Sequence, residues 1–101
     1  MGSRLKLQSE LEEILGSKNV YYQPPNNLTM SYPCIRYALE GYDVSKADDV
    51  TYKSIKRYEV IVISKTVDHP AVEKILQMPM CSFDRQYISE NLYHYVLTLY
   101  Y

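Results

Sequence analysis

Two cysteines and two histidines are the residues of this chain best suited to covalent or metal chemistry. Cys81 follows Met78-Pro-Met80, and His94 lies between Tyr93 and Tyr95. If these segments pair in one hairpin, a thiol and an imidazole could face each other, the start of a nucleophilic site. No oxyanion-hole glycine turn accompanies them, and His94 also reads as a half-buried, hydrogen-bonded strand residue. His69 stands between Asp68 and Pro70 at a helix start, where it reads as part of a cap, with no further ligands at metal spacing. Asp43, Asp48 and Asp49 offer oxygen ligands to a divalent cation, but the calcium-loop pattern and its glycine are missing, and Lys46 and Lys53 offset the charge. Gly2, Gly16 and Gly41 are too scattered to cradle a phosphate. The expectation is a protein without catalytic residues, cofactor or metal.

The elements that would position these residues are legible in the apolar spacing. Leu7, Leu11, Ile14 and Leu15 form one stripe of a helix over Leu5–Leu15, with Ser3 able to cap it and Gly16-Ser17 to close it. Val20–Gln23 is a short strand stopped by Pro24-Pro25, so it belongs at an edge. Cys34–Val44 alternates, with Ile35, Tyr37 and Leu39 on one face; Ser45–Thr51 has loop composition. Ser54–Ser64 is the strongest strand signal, apolar on both faces in its second half, which predicts a central strand covered on each side. These two strands make a long hairpin across Ala47-Asp-Asp49. A short helix starts at Asp68-His69-Pro70, with Val72, Ile75 and Leu76 as its stripe, and ends by Pro79. Met80–Ile88 and Leu92–Tyr101 close the chain as a hairpin, with Tyr93, Tyr95, Leu97, Leu99 and Tyr101 sharing a face. The order is α-β-β-β-α-β-β, an α+β fold in which two helices pack a mainly antiparallel sheet within one domain, residues 1–101.

Composition narrows the partners. The 101 residues carry a formal net charge of -1 with both signs mixed, so no basic block marks a nucleic-acid face. No apolar run approaches the roughly 20 residues of a membrane span, and no secretory leader is read at the N-terminus. Both cysteines are expected as reduced thiols of a cytoplasmic protein. Twelve tyrosines stand against one phenylalanine and no tryptophan. A ring with a polar tip suits surfaces half buried or buried against a partner, which points to an interaction domain.

Several short motifs in fixed order resemble the small tail proteins of long-tailed bacteriophages and prophages, called tail terminator, tail completion or head-tail joining proteins. They are the helix ending Leu15-Gly16, Val20-Tyr-Tyr-Gln-Pro-Pro25, Ser31-Tyr-Pro-Cys-Ile35, Ala47-Asp-Asp-Val-Thr-Tyr52, Lys56-Arg-Tyr-Glu-Val60, Met78-Pro-Met-Cys-Ser-Phe-Asp-Arg85 and Leu97-Thr-Leu-Tyr-Tyr101. The resemblance implies a sheet with helices on one side and a non-enzymatic structural role in the virion tail, the chain being made in the host cytoplasm. It also implies self-association as a hexameric ring that caps the tail tube protein and meets the head-tail connector, with DNA passing through the lumen unbound. A monomer when free is compatible with that role. The competing reading is a small cytoplasmic protein-binding module, or another head-tail joining or capsid protein, that forms no ring. For the ring contact, the extended polar arm from Tyr42 to Tyr58 is the candidate, with Tyr42, Asp48, Asp49, Tyr52, Lys53, Arg57 and Tyr58 as charged and aromatic contacts. On this reading Tyr42, Tyr52 and Tyr58 serve assembly, whereas Tyr93, Tyr95 and Tyr101 serve folding.

Overall fold

Leu7 and Leu11 sit one helical turn apart and are both fully buried, which fixes the inward face of helix α1 (Arg4–Leu15). The helix stops at Gly16, whose φ of 81° is open to glycine and whose N–H donates to Glu12 O at 2.9 Å. The structure, a computed structural model, describes residues 4–24, 31–47 and 50–101, and for 43–47 and 50–54 the backbone alone. Ser3, expected as the cap of α1, lies outside the described residues.

The chain continues through β1 (Val20–Tyr22), β2 (Cys34–Ala47), β3 (Val50–Ser64), α2 (Pro70–Leu76), β4 (Cys81–Ser89) and β5 (Leu92–Tyr100). This is the α-β-β-β-α-β-β order expected from the sequence. The five strands form one sheet in the order β1-β2-β3-β5-β4, with β1 parallel to β2 and the other neighbours antiparallel. β3 is central and β1 lies at an edge, as its double proline required. Glu90 and Asn91, both at positive φ, form the two-residue turn of the β4–β5 hairpin, the geometry whose twist suits antiparallel strands.

One expectation is corrected. Ser45–Thr51 reads as loop, yet β2 runs to Ala47 and β3 starts at Val50. The β-branched and aromatic run Val50-Thr51-Tyr52 fits a strand, and it outweighs the charged composition around it.

Cross-strand partners share a face, so the register sorts the core. Ile35 and Tyr37 of β2, Tyr58, Val60 and Val62 of β3, and Tyr95, Leu97 and Leu99 of β5 are buried against Leu7 and Leu11 of α1 and Ala71, Val72 and Ile75 of α2 in one cluster. Both helices therefore lie on one face. Polar tips inside this layer are satisfied: the Tyr37 hydroxyl donates to Gln8 Oε1 at 2.6 Å, and Gln8 Nε2 donates to Val20 O at 2.9 Å. The Tyr95 hydroxyl accepts from Asp68 N–H at 2.9 Å, fixing the entry to α2. The expectation that β3 is covered on each side holds fully on the helix face and in large part on the other. On the opposite face, where no described helix lies, Ile61 is half-buried while Ile63, Val96 and Cys34 are closed off.

Candidate assembly surface

The residues with catalytic potential are kept apart. Cys81 lies opposite Leu99, whereas His94 lies opposite Tyr87, five positions along β5. At about 3.3 Å per residue that is on the order of 17 Å, and the odd spacing puts the two side chains on opposite faces. Burial pushes the Cys34 thiol up to about 11 despite Arg36, and burial raises Cys81 as well, so both are poorer nucleophiles near neutral pH. His94 stacks on Tyr87, with ring centroids 4.7 Å apart, and its Nδ1 lies 3.1 Å from Leu92 O. His69 Nδ1 accepts from Ala71 N–H at 3.1 Å and caps α2, as its place before Pro70 suggested. Among the described residues no three His, Cys, Asp or Glu side chains converge on a cation position. Asp48 and Asp49 lie outside those residues, as does the side chain of Asp43.

What the fold offers is an arm. Support for β2 from β1 ends at the Val20–Tyr22 pairing, where Gln23 closes the edge: its N–H donates to Tyr37 O at 2.8 Å and its Oε1 accepts from Leu39 N–H at 3.2 Å. Support for β3 from β5 ends at the Arg57–Tyr100 pair, followed by Tyr101 N–H donating to Lys56 O at 3.0 Å. Among the described residues, from Asp43 opposite Ile55 to Ala47 opposite Val50 the two strands pair only with each other. The molecule is correspondingly long, 50 × 23 × 23 Å.

The root of the arm has its own geometry. The register shifts between Leu39 and Gly41, so Glu40 is an extra residue on β2, a bulge of the kind that bends and twists a strand. Glu40 Oε1 accepts from Arg57 Nε at 3.0 Å across this bulge. Gly41 lets the guanidinium lie close over the backbone, since a Cβ there would stand 2.8 Å from Arg57 Nη2 and push that group aside. A second shift, between Ser45 and Lys46, makes Tyr52 the unpaired residue of β3 nearer the tip.

Of the residues proposed from sequence for the contact, Tyr42 is 56% exposed at the root. Arg57 is half-buried and held by Glu40. Asp48 and Asp49 are outside the described residues, as are the side chains of Tyr52 and Lys53. Tyr58 is a correction. It is 2% exposed and meets Tyr37 edge-on at 6.0 Å, because it sits opposite Leu39 and Leu99 where strands flank it on both sides. Tyr58 belongs to the core and not to the arm.

A second surface was missed. β4 is nearly all exposed, including Phe83, Tyr87 and Ile88. Cys81–Ser89 lacks the two-residue apolar alternation that marks a strand with one buried face, and the strand order identifies it as an exposed edge. No family model matches the chain, and no curated protein sequence matches it.

Proposed function

We propose that this chain is a structural assembly subunit acting through geometry, a tail terminator of a long-tailed bacteriophage or prophage. The observation that carries the reading is the β2–β3 arm, twin strands that leave the sheet with no third strand beside them among the described residues. A lone two-stranded hairpin is marginal in water. An arm of this length gains its stability when a neighbour lies against it, and the described core contains none of its residues. The motif resemblance supplies the kind of neighbour: further copies of the chain in a ring, the tail tube protein on one side and the head-tail connector on the other.

The mechanism needs no bond chemistry. A contact between unlike surfaces closes when its rotation completes a circle, and the closed ring presents a face that no further tube subunit fits. The slightly acidic balance, net -1, suits a lumen through which DNA slides without being held.

The test is electron microscopy of the purified chain, alone at high concentration and with the tail tube protein of its own genome. Closed rings, or tubes of limited length capped by this chain, are the expected result. A monomer that binds one protein in a discrete complex, with tubes growing unchecked, overturns the reading in favour of a binding module.

A further inference from the structure

Seven large apolar side chains among the described residues are more than a third exposed, and four of them, Met80, Phe83, Tyr87 and Ile88, lie on β4 or at its entry. β4 is the outer strand of the sheet and, among the described residues, pairs only with β5. Its register breaks between Phe83 and Arg85, which leaves Arg85–Ser89 as the regular stretch of outer edge. An edge with unpaired backbone groups and exposed apolar side chains is a template for another strand. Beside it, between α2 and β4, is a cavity of about 350 Å³ lined by Asp68, Glu73, Leu76, Phe83 and Gln86 among others.

Resting on the assembly reading above, we propose that a second copy of this chain occupies this edge. It adds Lys53–Ile55, part of the outer half of its β3 beyond the Tyr101–Lys56 hydrogen bond, beside Arg85–Ser89, so that the sheet of one copy runs into the next. Charge selects this occupant. The outer half of β3, Val50–Lys56, contains Lys53 and Lys56 and no acid. The receiving edge is bordered by Asp68, Glu73 and Glu90, all exposed, while Asp84 and Arg85 offset each other in an ion pair at 2.7 Å, which leaves the edge acidic. A chain cannot satisfy its own edge in this way, because β5 stands between β3 and β4. The donor and the acceptor are different surfaces, so the contact repeats from copy to copy.

The experiment is sedimentation velocity from micromolar to millimolar concentration on three proteins: the wild type, Glu73→Lys/Asp84→Lys, and Lys53→Glu/Lys56→Glu. The wild type should self-associate. Each reversal alone sets like charges against each other and should weaken association about a hundredfold. An equimolar mixture of the two restores both contacts and should associate again. Circular dichroism checks folding; if a reversal does not fold, Glu73→Gln/Asp84→Asn and Lys53→Gln/Lys56→Gln replace it, each expected to weaken association about tenfold. Association unchanged by the reversals, or not restored by mixing, removes this joint and leaves the subunit reading standing. A wild type that stays monomeric at millimolar concentration overturns the joint, whereas rings formed only with the tube protein would still support the subunit reading.

Discussion

Excising the arm should leave the fold intact. The change is to replace Asp43–Ile55 with Asn-Gly, which joins Tyr42 directly to its partner Lys56 through a two-residue turn of the kind that suits hairpins. The described core lies entirely outside Tyr42–Lys56, so no known buried side chain is lost. The cross-strand pairs removed were worth roughly 0.2–1 kcal/mol each before the cost of ordering their residues. For a hairpin with no third strand those terms nearly cancel. Shortening the connection favours folding by about 1–2 kcal/mol in loop-closure entropy. The net change should fall within about 1 kcal/mol, which moves Tm by no more than about 8 °C in a domain of this size. Thermal unfolding by circular dichroism measures it, and sedimentation velocity on the same sample should show that self-association is gone. A Tm lower by more than about 15 °C, or undiminished association, would refute the division into core and arm.

Three further outcomes test the core. Leu97 is fully buried on β5 between β3 and β4, so Leu97→Ala should cost about 2–5 kcal/mol in urea unfolding. Tyr37→Phe strands Gln8 Oε1, now 2.6 Å from the hydroxyl, and should cost about 1–2 kcal/mol; an unchanged urea midpoint would remove that bond from the account of how α1 is held. The third outcome concerns alkaline pH. Burial, together with the Glu10 carboxylate that accepts its proton, pushes Tyr101 up to about 12, and burial raises Tyr37 and Tyr58. The unfolded chain releases these protons near pH 10 while the folded chain keeps them, so stability is whole below that value and falls as pH rises towards 12. Urea midpoints between pH 9 and 11.5 should decline, less steeply in Glu10→Gln; a flat series would contradict the assignment.

The fold was legible because burial leaves a period. Leu7 and Leu11, the alternation Ile35-Tyr37-Leu39, and the shared face Tyr95-Leu97-Leu99 each follow from one face of an element meeting the same core. Tyr58 shows where that signal fails. Its type suits an arm and a core equally, and only the register, which sets it opposite Leu39 and Leu99, decides between them. Register depends on the bulge at Glu40, and a bulge carries no sequence period. The β4 edge escaped notice for a related reason: an outer strand exposed on both faces has no alternation to detect, so its apolar residues look like noise until the strand order is known.

The bulge also decides which substitution can separate folding from assembly. Arg57 is the obvious choice on charge, but its guanidinium lies across Gly41 and binds Glu40 at the point where the sheet becomes the arm. Both partners are partly exposed, so the ion pair itself contributes only about 0–1 kcal/mol. Its larger effect is on direction, because bulges set local bend and twist. Arg57→Ala would therefore re-aim the whole arm, and lost assembly would not show that Arg57 touches a neighbour. Tyr42 has no such role: it is exposed and lies just beyond the bulge. Tyr42→Ala should leave Tm within about 4 °C while weakening association about tenfold, the scale of one aromatic contact at an interface. Equal association in Tyr42→Ala and wild type would place the contact farther out along the arm.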